Sequence, residues 1–186
     1  MQLILILILS FIGSLSYGQI ENTEIRRIKS EIDSTKSPEL VLSQIFTIKA
    51  PVALVWEAYT TKSGWENWAV PLAEVELKVG GYIKTNYNKS GKIGDSSTIV
   101  THIINYVPEK ILTLQSEITE NFPEFMKKEA EDFYNVIYLH EIEENLTRVE
   151  SYGIGYKKTP KYLELMNYFI PANERTLMNL IKYLEK

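Results

Sequence analysis

Ile45-Phe46-Thr47-Ile48-Lys49-Ala50-Pro51-Val52-Ala53-Leu54-Val55-Trp56-Glu57-Ala58-Tyr59-Thr60 is the stretch on which the reading of this chain turns. Up to Lys49 it is rich in β-branched and aromatic residues, as a strand should be, although over 39–49 the apolar residues alternate poorly. Ala50-Pro51 stops that strand. Proline brings no N–H to a ladder, and its fixed φ suits the first turn of a helix. From Pro51 onward Val52, Val55, Trp56 and Tyr59 recur at i, i+3, i+4 and i+7, the spacing of one helical face.

Downstream, 60–63 is polar punctuation before a second short helix that carries Trp65 and Trp68 and is closed by Pro71. The period then changes to that of strands. Residues 75–79 alternate, Gly80-Gly81 turns the chain and 82–87 returns; 88–97 reads as a polar loop. Strands over 97–106 and 111–118 meet at Val107-Pro108-Glu109, and strands over 133–142 and 146–156 form a hairpin around Glu143-Glu144-Asn145. A helix opening at Thr159-Pro160 runs to the C-terminus, with a kink expected at Pro171 and a core-facing stripe of Thr176, Leu177, Leu180, Ile181 and Leu184.

Upstream, the uncharged run Met1-Gln2-Leu3-Ile4-Leu5-Ile6-Leu7-Ile8-Leu9 and the small residues around Ser16 and Gly18 have the shape of a signal peptide, with cleavage after Gly18 leaving Gln19 first. The run is short for a membrane span, and an uncleaved anchor is the alternative. Ile25, Ile28 and Ile32 suggest a short helix over 21–36. The expected division is signal peptide 1–18, N-terminal helix and linker 19–38, and one domain over 39–186.

Composition narrows the function. With 186 residues, 45% of them hydrophobic, the chain can bury a sizeable core unaided. A net charge of −4 without a basic stripe disfavours nucleic acid. The chain has no cysteine, which removes disulfides, thiol catalysis and cysteine metal sites. His102 and His140 are the two imidazoles, and neither has a second ligand at metal spacing, so no metal and no cofactor is expected. No Gly-x-Ser-x-Gly elbow or phosphate-cradling glycine motif occurs.

The strand ending in Ala50-Pro51, then Val55-Trp56, Trp68 and Gly80-Gly81, resembles the START-like superfamily, also called SRPBCC, in the branch related to the activator of the heat-shock protein 90 ATPase. Pro108-Glu109-Lys110-Ile111 and Thr147-Arg148-Val149 fall where that branch begins later strands. The resemblance covers roughly 41–157 and rests on the order of the motifs. It implies an α+β helix-grip fold, a curved antiparallel sheet wrapped around a long C-terminal helix, here with an extra N-terminal helix. At the last helix the branch often has Gly-Trp, whereas this chain has Asn167-Tyr168-Phe169-Ile170-Pro171.

Such a fold encloses a pocket, and in the branch's register Val136, Tyr138, His140 and Ile142 share its wall. Val149, Ser151, Gly153 and Gly155 share the face of the next strand, small enough to leave room or to let the helix pack close. His102 reads as a half-buried sheet residue. The candidate pocket residues are Tyr138, His140, Gln115, Ser151 and Gly153. The long connection 119–132 supplies Phe122, Phe125 and Met126 as candidates for a lid. The leading expectation is an exported protein that binds a hydrophobic small molecule, with Tyr138, His140 and Gln115 on its polar end, and with no membrane contact after signal cleavage. Two alternatives stand beside it: a cyclase- or isomerase-like enzyme in which His140 moves a proton, and a co-chaperone-like interaction domain. An exported protein would not meet the cytosolic ATPase that the last one implies.

Overall fold

A computed structural model describes residues 27–35, 38–119 and 122–186. The elements are β1 (Lys29–Asp33), β2 (Glu39–Ile48), α1 (Val52–Thr60), α2 (Lys62–Trp68), β3 (Leu72–Glu76), β4 (Tyr82–Asn86), β5 (Ile99–Val107), β6 (Ile111–Ser116), α3 (Glu124–Lys127), a 3-10 turn (Ala130–Asp132), β7 (Tyr134–Glu143), β8 (Leu146–Lys157) and α4 (Pro160–Leu184). All eight strands form one antiparallel sheet in the order β1-β2-β8-β7-β6-β5-β4-β3. This is the expected α+β helix-grip fold, with α4 against the sheet.

The decisive stretch behaves as read. In β2 burial alternates cleanly, with Leu40, Leu42, Gln44, Phe46 and Ile48 inward. The poor alternation of the sequence comes from Gln44, a polar residue on the buried phase, and from Val41 and Ile45, apolar residues on the other. Pro51 precedes α1, which buries Val52, Val55, Trp56, Ala58 and Tyr59. The carbonyls left over at its C-terminal end accept from tryptophans: Trp68 Nε1 donates to Ala58 O at 2.9 Å and Trp65 Nε1 to Tyr59 O at 2.8 Å. Trp56, Trp65 and Trp68 therefore belong to the core, each under a tenth exposed. α4 is one helix through Pro171, which sits on its exposed side. It buries Tyr162, Leu165, Met166, Phe169, Ala172, Leu177, Leu180 and Ile181, a stripe at helical spacing.

One element differs from the sequence reading. Residues 29–33 form a strand, β1, where a helix was expected, and pair with β2 from Lys29 opposite Ile45 to Asp33 opposite Val41. Pairing with an open sheet edge overrides the helix-like spacing of the isoleucines. The expected signal segment 1–18, and the part of the expected helix before Arg27, lie outside the described residues.

The segment leading into β1 is tied to the end of α4. Arg27 Nη1 and Nη2 each donate to Glu185 at 2.7 Å, and the Lys49 N–H donates to the same carboxylate at 2.8 Å. The Arg27 hydrogen bonds and then the Lys49 N–H hold the Glu185 carboxyl below its ordinary value of 4.5. A lowered folded-state pKa means that the stabilisation is complete above the unfolded value and is lost as pH falls through the folded one. Glu185→Gln should therefore lower the melting temperature at pH 7, by an amount equivalent to about 1 kcal/mol for a part-buried pair at the surface. The gap to the unmodified protein should close as pH drops below about 4.5. Thermal melts of both proteins across that range check it; a gap independent of pH would remove the ion pair as its source.

Candidate functional site

Between the sheet and α4 lies a cavity of about 70 Å³. Most lining residues come from the inward phase of their element, Tyr134 at the start of β7 being the exception. β2 gives Leu42 and Gln44, β6 gives Leu114 and Ser116, β7 gives Asn135 and Ile137, and β8 gives Ser151 and Gly153. Tyr59 enters from α1, Phe133 and Tyr156 close one end, and α4 supplies Met166, Phe169, Asn173, Thr176 and Leu177. A smaller cavity of about 20 Å³, bordered by Trp65, Tyr87 and Thr101, shares Leu114 and Asn135 with the first. The lining is largely apolar and contains no Asp, Glu, His, Lys or Arg. Burial pushes the Tyr59 phenol far above the usual tyrosine range and that of Tyr156 up to about 12.

The polar groups at the cavity are ordered by a directional relay. Ser30 of β1 donates its hydroxyl to Glu174 Oε1 at 2.7 Å, and Gln44 Nε2 donates to the Ser30 oxygen at 3.1 Å. Asn173 Nδ2 in turn donates to Gln44 Oε1 at 2.9 Å. The carboxylate at the end accepts only, so every donor in the relay points toward it and the free end of Asn173 is its carbonyl oxygen. On the opposite wall Asn135 Nδ2 donates to Ser151 Oγ at 3.0 Å. Among the described residues Tyr59 Oη, Asn135 Oδ1 and Asn173 Oδ1 are buried and have no hydrogen-bond partner. All three belong to residues that line the cavity.

The expected pocket residues divide. Ser151 and Gly153 line the cavity. Tyr138 and His140 do not. They lie on the opposite, outer face of β7, where Tyr138 is 38% exposed and the side chain of His140 is 46% exposed. The physical reason is a bulge. Glu143 pairs with Leu146, but Glu141 pairs with Thr147, so Ile142 is an extra residue and the strand slips by one. That slip puts Ile137 and Leu139 inward, opposite Ser151 and Val149, and turns Tyr138 and His140 out. There Tyr138 stacks on His140 and meets the edge of Tyr152, whose hydroxyl donates to Glu150 at 2.6 Å. His140 is thus removed from any proton transfer in the cavity. Gln115 also faces away, between the inward Leu114 and Ser116, and donates to Glu131 O at 2.9 Å.

His102 is half-buried as expected, with Nε2 at 2.8 Å from Glu117 Oε1. Phe122, Phe125 and Met126 pack with Leu40, Tyr162 and Leu165 onto the layer that contains Phe133, Met166 and Phe169. None of the three touches the cavity itself. The sequence reading passed over Gln44, Asn135 and Asn173. One signal was visible for Gln44, the polar residue on the inward phase of an otherwise apolar strand.

Residues 49–185 match the sequence profile of the family described as "Activator of Hsp90 ATPase homolog 1-like protein". The chain belongs to that family. The matched region runs from the Ala50-Pro51 turn to the end of α4 and so contains every element of the grip except β1 and β2. No curated protein matches the chain. Solved structures of similar fold include the Aha1 dimer from Colwellia psychrerythraea, at 19% identity and a TM-score of 0.57, covering 78% of this chain and 96% of that one. Protein NE0264 from Nitrosomonas europaea is 20% identical with a TM-score of 0.59, covering 80% and 96%. EF2215 from Enterococcus faecalis, a conserved protein of unknown function, is 14% identical with a TM-score of 0.58, covering 88% and 80%. At these identities the likeness is one of fold. Among the described residues no group of acidic or imidazole side chains could hold a metal, and no helix is long and apolar enough to cross a membrane.

Proposed function

We propose that this member of the Hsp90-activator-like family is an exported domain that holds a small, largely apolar molecule between its sheet and α4. The observation that carries the reading is the cavity itself, walled by apolar side chains and crossed by a few fixed polar groups, which is the composition of small-molecule sites. The lining favours holding a molecule over proton-transfer chemistry, because it offers no carboxylate, imidazole or basic side chain, and burial raises the Tyr59 and Tyr156 phenols. At about 70 Å³ the space is well below the several hundred Å³ of a typical ligand site, so a bound molecule is small or displaces Met166 and Phe169. Methionine suits that role, with a flexible, polarisable side chain.

Family membership and the likeness to the Aha1 dimer favour a second reading, docking to an ATPase of the Hsp90 kind. Native mass spectrometry of protein purified from its own source separates the two. The expected spectrum shows a chain beginning at Gln19 with a retained small molecule. Gly153→Val should lose that adduct while staying folded. A Cβ at Gly153 meets Tyr156 at 3.4 Å and Leu42 at 3.7 Å, ordinary contacts, and the added methyls reach into the cavity. A chain that carries no adduct in either form leaves the docking reading standing, and one that retains Met1 removes export.

A further inference from the structure

Three buried polar atoms without partners, all on residues that line one cavity, call for a common explanation, since buried polar groups are paired in the great majority of cases. Any one of them alone would be an ordinary exception. We propose that the cavity selects molecules with an uncharged hydrogen-bond-donating head, an aromatic amine, amide N–H or hydroxyl on an apolar body, and reads that head with Tyr59, Asn135 and Asn173. The inference rests on the small-molecule reading given above and adds the polarity of the ligand.

The relay fixes that polarity. Because Glu174 accepts from Ser30, Ser30 from Gln44 and Gln44 from Asn173, the group left over on α4 is an acceptor. Asn135 engages its amide nitrogen with Ser151, which leaves its carbonyl oxygen as a second acceptor. Tyr59 Oη adds a hydroxyl that gives or takes a hydrogen bond. Two amide oxygens cannot satisfy each other, and a ligand carboxylate would add only acceptors. No Lys, Arg or His lines the cavity to balance an anion, and no carboxylate lines it to balance a cation. An uncharged donor is the chemistry that remains. All three atoms are closed to solvent in the described packing, so the head reaches them as the lining side chains give way, in keeping with the small free volume.

The test uses three rings of nearly equal size. Aniline presents N–H donors, toluene replaces the amine by an isosteric methyl, and benzoate carries an anion. Dissociation constants are measured by NMR titration at neutral pH on the unmodified protein, Tyr59→Phe and Asn173→Leu. The unmodified protein should bind aniline about tenfold or more tightly than toluene, the scale of one or two hydrogen bonds made against unpaired buried acceptors, and benzoate worst. In Tyr59→Phe the aniline-to-toluene ratio should fall several-fold, while the melting temperature without ligand rises by roughly 2–4 °C because a buried hydroxyl without a partner has gone. Asn173→Leu should bring the ratio close to one. Tyr59→Phe alters a single atom, so it remains informative if Asn173→Leu fails to fold. Equal affinity for aniline and toluene, the result if ordered water alone serves these atoms, overturns the inference and leaves the small-molecule reading in place, as does tightest binding of benzoate. Failure of all three rings to bind overturns both.

Discussion

Leu180→Asp should leave the chain unfolded under conditions in which the unmodified protein melts cooperatively. Leu180 is fully buried in the cluster that includes Phe46, Ile48, Val55, Ile103, Leu139, Val149, Leu177 and Ile181. That cluster joins α1, α2, α4 and seven strands, and it contains no cation to pair with a carboxylate. Burying an unpaired charge there costs several kcal/mol, and removing a packed leucine adds roughly 2–5 more. The sum approaches or exceeds the roughly 5–15 kcal/mol that holds such a domain together. Leu163→Asp is the matched control on the same helix, because Leu163 is 43% exposed and should tolerate the charge. Far-UV circular dichroism and thermal melts of both variants decide the matter. A cooperatively melting Leu180→Asp would show that α4 does not close the core.

The fold was legible because its strongest signals are local. Ala50-Pro51 ends a strand and opens a helix by backbone chemistry alone, and the stripe of Leu177, Leu180 and Ile181 has a period that no other element explains. β1 was not legible, for the opposite reason. It is five residues at a sheet edge with Ile32 as its one large apolar side chain, and what makes it a strand is the ladder offered by β2. In isolation Ile25, Ile28 and Ile32 read as a helical face. The consequence reaches the cavity, because Ser30 of that strand is the group that orients Gln44.

The site was half legible, and the dividing line is one residue. Across a plain two-residue turn at Glu144-Asn145, the pairing of Glu143 with Leu146 would carry on to His140 opposite Val149, on the inward face. The bulge at Ile142 replaces that register with Leu139 opposite Val149. Nothing in Glu141-Ile142-Glu143 announces it, since a bulge is set by how two strands meet. Ser151 and Gly153 line the cavity because they lie on the same face of β8 as the buried Val149. Asn135 and Asn173 escaped notice because an asparagine has no periodicity of its own; its role shows only once the neighbours that leave an amide oxygen unpaired are in place.

Gly155→Ala should lower stability by about 3 kcal/mol or more, whereas Gly153→Ala, two residues away on the same strand, should stay within about 1 kcal/mol of the unmodified protein. The two glycines look equivalent in sequence and are not equivalent in structure. Gly155 has φ +89°, and a Cβ there would lie 1.6 Å from the carbonyl oxygen of Asp132, a backbone atom that can yield only if the whole 3-10 turn moves. Gly153 has an ordinary backbone and van der Waals room. Moving the Asp132 turn also displaces Phe133, whose ring sits 4.9 Å from Tyr156, and both line the cavity. Gly155 is therefore the point at which β8 breaks its alternation so that Tyr156, and not residue 155, faces inward. Urea denaturation measures both variants. Equal small losses at 153 and 155 would mean that the close approach of β8 to the turn is absent in solution, and with it the wall that Phe133 and Tyr156 build at that end of the cavity.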